Sequence, residues 1–159
     1  MANSMQPPLT PTISKAAINI STIDPGTLRA YHTAKYQVLD ANPPFSLCVG
    51  QPNPALARLQ ARHNAISSAY ITACNPRSKL LSEAQNTRHQ ALLGAELAKM
   101  GLTFLRGRGV DPTGTWPGEA SFLVLGISRE AACDLGRRFN QNALLWSGQD
   151  ATPELVLLF

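Results

Sequence analysis

The stretch Glu119–Ile127, EASFLVLGI, constrains the fold more than any other part of the chain. From Ala120 to Leu125 it alternates nothing. Both the odd and the even positions are apolar, so a strand built from it must be covered on both faces. One sheet face needs helices, and the other needs a second layer. The chain's 159 residues, 44% hydrophobic and only 15% charged, are enough to supply such a core. A carboxylate, Glu119, opens this strand, directly after the turn-forming run DPTGTWPG.

The flanking segments set the order. Four helix starts are written in capping residues: Asp24 before Pro25, Asn53 before Pro54, Ser82 with Gln85 three residues on, and Ser128. Leu28, Tyr31, Lys35 and Val38 share a helical face, which predicts a first helix running from Pro25 towards Asn42. FSLCVG (45–50) and AYITAC (69–74) read as strands, LTFLR as another, and residues 107–118, with GRG at their start, as a loop. NALLWS and ELVLLF form a terminal strand pair.

From residue 67 the order is strand–helix–strand–strand–helix–strand with one strand more. That predicts an α+β fold of the ferredoxin-like, split βαβ kind, with strand order 4-1-3-2. A sheet of other connectivity is the alternative. An extra N-terminal strand and helices would extend an edge or cover the second face. Residues 1–23, rich in Pro, Ser and Thr and lacking an apolar core segment, read as a flexible tail rather than a signal peptide, and 24–159 as one α+β domain. Phe122 and Trp146 are expected in the core. Cys133 is expected on the exposed side of the last helix, open to labelling.

Several function classes lack their signatures. His32, His63 and His89 have no ligand spacing, and Cys48, Cys74 and Cys133 are scattered without a CxxC, so no metal site is expected. An odd, dispersed set of cysteines suggests a reduced, cytoplasmic chain. No run is long enough for a membrane span, and neither a phosphate-binding P-loop nor a nucleophile elbow is present. The formal net charge is +4, with ten of fourteen basic residues Arg. Acidic and basic residues are interspersed, which argues against a sequence-independent nucleic-acid binder without removing RNA or DNA as a partner.

The expected topology gathers unusual polar residues at one rim. Asn75, Asn86, Arg88, Arg106, Arg108, Glu119, Ser121, Gln141 and Asn142 would meet there, with Trp116 as a shield or stacking platform. Asn86 lies on the core stripe of its helix, seven residues before Leu93, and so needs a polar partner. Glu119 is the candidate catalytic group, a general base or ligand-orienting acceptor, or else a structural ion-pair partner of Arg88, Arg106 or Arg108. The guanidiniums suggest a small anionic or nucleotide-like ligand. A protein-interaction module without a catalytic site is the competing expectation.

The blocks YITACNPRS, SEAQNTRHQALL, GVDPTGTWPGEASFLVLGIS and AACDLGRRFNQNALLW, in this order, resemble a bacterial family known as domain of unknown function 3293. The resemblance runs from about Tyr31 to Leu157. It implies recurring positions at Asn75, Pro76, Asn86, Arg88, Gly109, Trp116, Glu119, Ser121, Gln141 and Asn142. In WPGEAS the carboxylate stands further from Trp116 than the family's pattern implies. The resemblance implies a site and no chemistry.

Overall fold

The computed structural model describes residues 23–159; the expected N-terminal tail lies, but for Ile23, outside the described residues. Seven strands form one sheet: β1 (Lys35–Val38), β2 (Phe45–Leu47), β3 (Ser68–Ile71), β4 (Phe104–Val110), β5 (Glu119–Leu125), β6 (Ala143–Ser147) and β7 (Glu154–Leu157). They lie in the order β2-β1-β4-β5-β3-β6-β7, and every neighbouring pair is antiparallel. Among the described residues, four α-helices accompany the sheet: α1 (Pro25–Thr33), α2 (Pro54–Arg62), α3 (Glu83–Lys99) and α4 (Arg129–Arg138). Each begins where its cap was legible. Asp24, Asn53, Ser82 and Ser128 each accept the backbone N–H three residues on, satisfying a donor that has no partner inside the helix.

Strand β5 is buried on both sides. Val124, fully buried, packs with Leu93 and Leu97 of α3 and Ala132 and Leu135 of α4. Leu123 and Leu125 face the other way, into a cluster with Val38, Leu47, Tyr70, Leu145 and the α2 residues Leu56 and Leu59. Phe122 and Trp146 pack against the first cluster but are only partly buried. The Phe122 ring meets Phe104 edge-on at 4.9 Å, and the Trp146 indole donates to the Ile127 carbonyl at 3.1 Å.

Three local expectations are corrected. The first helix stops at Thr33, and Lys35–Val38 form β1. Val38 is fully buried there; β1 gives β4 its outer partner, a tertiary gain that overrides the helical periodicity. Second, GRG is strand rather than loop, since β4 continues to Val110. Third, Cys133 is buried. A Cβ on its neighbour Gly136 would stand 2.5 Å from Leu158 Cδ1, so the chain beyond β7 presses on the flank of α4 that the helical phase left open.

Gly107 shows why β4 needs glycine. A Cβ there would fall on the Gln37 carbonyl oxygen and the Tyr70 hydroxyl, which are themselves hydrogen-bonded at 2.6 Å. The Tyr70 ring crosses the strand where a side chain would be. Gly107→Ala is therefore expected to cost about 1–3 kcal/mol, the usual penalty of overpacking, in chemical denaturation. An unchanged midpoint would contradict this packing.

Candidate functional site

Strand parity decides which rim residues can meet. Tyr36 of β1, Gly109 of β4 and Glu119 of β5 stand opposite one another across three strands, and cross-strand partners point to the same face. Val38, Gly107 and Ser121 form the next such row. On this face a cavity of about 330 Å³ opens, lined by Tyr31, Tyr36, Tyr70, Thr72, Asn75, Ser78, Gly109, Trp116, Glu119, Ser121, Gln141 and Asn142 among others. Gly109 is its floor. A Cβ there would meet nothing nearer than the Glu119 carbonyl oxygen at 4.0 Å, so the missing side chain is open space.

Glu119 is half-buried, and its carboxylate has one hydrogen-bond partner among the described residues: Asn75 Nδ2 donates to Oε1 at 2.9 Å. It makes no ion pair with any described residue. Burial raises its pKa above the ordinary carboxylate value, and the bond from Asn75 opposes that only in part. Such a group can orient a donor or accept a proton from one.

Asn75 is held so that it can do this. Its backbone is left-handed (φ 45°), which Asn tolerates better than most residues. Asn86 Oδ1 accepts the Asn75 backbone N–H at 2.9 Å, while Asn86 Nδ2 and the Leu81 N–H both donate to Asn75 Oδ1. Asn86 therefore stands behind the cavity as a clamp. Gln141, buried, donates to the Cys74 and Phe139 carbonyls, and Asn142 donates to Ser78 Oγ at 2.9 Å, which also bonds the Tyr31 hydroxyl at 3.1 Å. Trp116 is anchored through its backbone N–H to Asp111 at 3.3 Å.

The guanidiniums do not join this group. Arg106 is paired across a bidentate bond with Asp40, as close as 2.8 Å. Arg108 stands opposite Ala120 and Arg106 opposite Phe122, positions whose side chains leave the sheet on the α3 side. The Arg108 side chain lies over Gly118 and lines a second, more open groove beside α3. Arg88 is exposed on α3 and lines neither space. The expected ion pair between Glu119 and an Arg is thus absent among the described residues, because a one-residue offset along a strand reverses the face.

Sequence reasoning missed the aromatic wall. Tyr36 was hidden by reading β1 as helix. The Tyr70 side chain reaches across β5 to Gly107 of β4, in a segment whose sequence reads as a loop. A Tyr in one strand facing a Gly in another was the available signal. Tyr36 and Tyr70 meet edge-on at 5.4 Å, and burial pushes both phenols well above the usual range.

Among the described residues no group of three His, Cys, Asp or Glu side chains could hold a metal ion, and no helix is long and apolar enough to cross a membrane.

A raised pKa in the folded state means that Glu119 holds its proton more tightly folded than unfolded. Its contribution to stability is present below the ordinary carboxylate pKa and is lost as pH rises through the raised value. Glu119→Gln, which keeps an oxygen for Asn75 and cannot ionise, should gain in melting temperature relative to the wild type between about pH 4 and about pH 7. A difference that stays constant over this window would contradict the raised pKa.

A search of curated proteins and one of solved structures find no match to the chain. A family model does match, over residues 71–144, and its description is "protein of unknown function (DUF3293)". That stretch, similar to this family, carries Asn75 and its clamp Asn86, the Trp116 loop, Glu119 and Ser121, and Gln141 with Asn142.

Proposed function

We propose that the protein binds a small, partly apolar ligand in the cavity above Gly109, with Glu119 as the group that fixes its orientation. The observation that carries this reading is a half-buried carboxylate with a single neutral partner, turned to a space of about 330 Å³. Ligand pockets commonly fall between about 300 and 1,000 Å³ and combine apolar walls with a few placed polar groups. A carboxylate serving only to tie down a loop would gain more from one of the nearby guanidiniums.

The backbone around the cavity supports the same reading. Asn75, Arg77 and Ser78 all have positive φ, and left-handed geometry in non-glycine residues concentrates at functional sites. The Arg77 N–H bonds the Asn140 carbonyl at 2.8 Å and the Ser78 N–H that of Asn75 at 2.9 Å, which fixes Asn75 and Ser78 at the cavity wall.

The groove beside α3 is the other place for an anionic or nucleotide-like ligand: Arg108, without a carboxylate partner among the described residues, lines it together with Glu83 and Glu119. Two finer readings accompany the proposal. The central strands, in the order β4-β5-β3-β6 with α3 and α4 packed on one face, support a ferredoxin-like split βαβ core. Three unpaired cysteines support a cytoplasmic setting.

Thermal shift against a fragment library tests the main proposal. Ligands that stabilise the wild type should lose their effect on Gly109→Val, whose side chain would occupy the cavity floor while the fold remains intact. Equal stabilisation of both proteins, or no stabilisation at millimolar concentrations, would refute it.

A further inference from the structure

Many of the cavity's hydrogen-bonding groups are acceptors, and its remaining donors are uncharged. Four of its hydroxyl groups have already spent their proton on the protein. Tyr36 donates to the Tyr31 carbonyl at 2.7 Å, Tyr70 to the Gln37 carbonyl at 2.6 Å, and Thr72 to the Ala120 carbonyl at 2.7 Å. Ser121 donates to the Glu119 carbonyl at 3.2 Å. Both donors of the Gln141 amide go to backbone carbonyls. A hydroxyl that has donated can only accept from a ligand. The donors left are all neutral: the Thr27 hydroxyl, one hydroxyl of the Tyr31–Ser78 pair, one N–H each on Asn75 and Asn142, and the Trp116 indole.

Charge points the same way. No Lys, Arg or His lines the cavity, and Glu119 is its one acidic side chain. An anion entering would meet that carboxylate with no counter-charge. A cation would give it the partner that the protein withholds, and a half-buried carboxylate gains most from such a partner where water is scarce. Tyr31, Tyr36, Tyr70 and Trp116 supply aromatic surface around the same space, and such surface attracts cations by its quadrupole.

Resting on the cavity reading above, we infer that its ligand is an organic ammonium ion: the charged nitrogen sits against the second oxygen of Glu119 and the carbon body against the aromatic wall. A primary ammonium has three donors and no acceptor, the complement of what the lining offers. The space is about twice the ~150 Å³ that holds a benzene ring in an apolar cavity, which admits one ring or a short chain together with its ammonium.

Three probes of one shape separate the possibilities. Benzylamine, benzyl alcohol and benzoate are titrated at neutral pH into the full-length protein, followed by the amide resonances of Gly109 and Glu119 and by Trp116 fluorescence. Benzylamine should bind at least tenfold more tightly than benzyl alcohol, and benzoate most weakly. Glu119→Gln should lower benzylamine affinity at least tenfold and leave benzyl alcohol within about twofold, since the amide oxygen still holds Asn75. Binding of benzyl alcohol with no preference for benzylamine, or a preference for benzoate, would overturn the ammonium assignment and leave the cavity reading standing. Unchanged benzylamine affinity in Glu119→Gln would overturn it too. Silence from all three probes at these resonances would sink both.

Discussion

A central strand that is apolar on both faces leaves this chain no two-layer solution with an open side. β5 places Val124 against α3 and α4 and Leu123 and Leu125 against the α2 layer. Every other element is positioned by that demand. β3 and β4 flank β5, the longer helices cover one face, and the N-terminal third of the described chain is drawn round to cover the other. The cavity is the place where this second cover ends. At the Glu119 end of β5 the apolar residues give way to Ser121 and Glu119, while the opposing strand offers glycines at Gly107 and Gly109. One gap is filled by Tyr70 and the other is left open. The same strand thus builds core at one end and lines an open cavity at the other.

The open gap is useful only if the carboxylate beside it is held still. That task falls to Asn75, whose side chain joins Leu81, Asn86 and Glu119. Left-handed geometry costs non-glycine residues roughly 1–2 kcal/mol each, and hydrogen bonds of about 1 kcal/mol net are of the size needed to offset it. The turn from Asn75 to Ser78 carries several such bonds, from Leu81, Asn86 and the Asn140 carbonyl. Asn rather than Asp at position 75 also matters. Its amide gives Glu119 a donor without adding a second negative charge, so the carboxylate is oriented but not neutralised.

Much of this is legible in the sequence. Local hydrogen-bonding chemistry wrote the helix starts into Asp24, Asn53, Ser82 and Ser128, because a cap is satisfied within three residues. The two-sided burial of β5 followed from its composition. Asn86 stood out as a polar residue on an apolar stripe, and its need for a partner is met by Asn75. What failed were inferences that cross between strands. Grouping Glu119 with Arg106 and Arg108 placed the right chain segments side by side but ignored that the register sets Arg108 opposite Ala120 and Gly109 opposite Glu119. Register is a tertiary property, fixed by how whole faces pack, and no window of sequence contains it. Reading KYQV as helix had a similar cause. Its periodicity suits either state, and the choice fell to β4, which needed an edge partner.

The displacement of the guanidiniums changes the electrostatic meaning of the site. With Arg106 beside it, Glu119 would be a low-pKa ion-pair partner and the cavity would be closed by a structural bond. Arg106 instead satisfies Asp40 at an exposed edge, where an ion pair contributes little to stability, and Arg108 faces the α3 groove. The chain has cations close by in sequence and keeps them off this face. A half-buried carboxylate without a counter-ion is unfavourable for the folded protein alone, and the structure relieves it only by one amide bond. Under the ammonium reading that term would disappear when a positive ligand arrives, and what the free protein forgoes in stability would reappear as binding energy and as selectivity for charge.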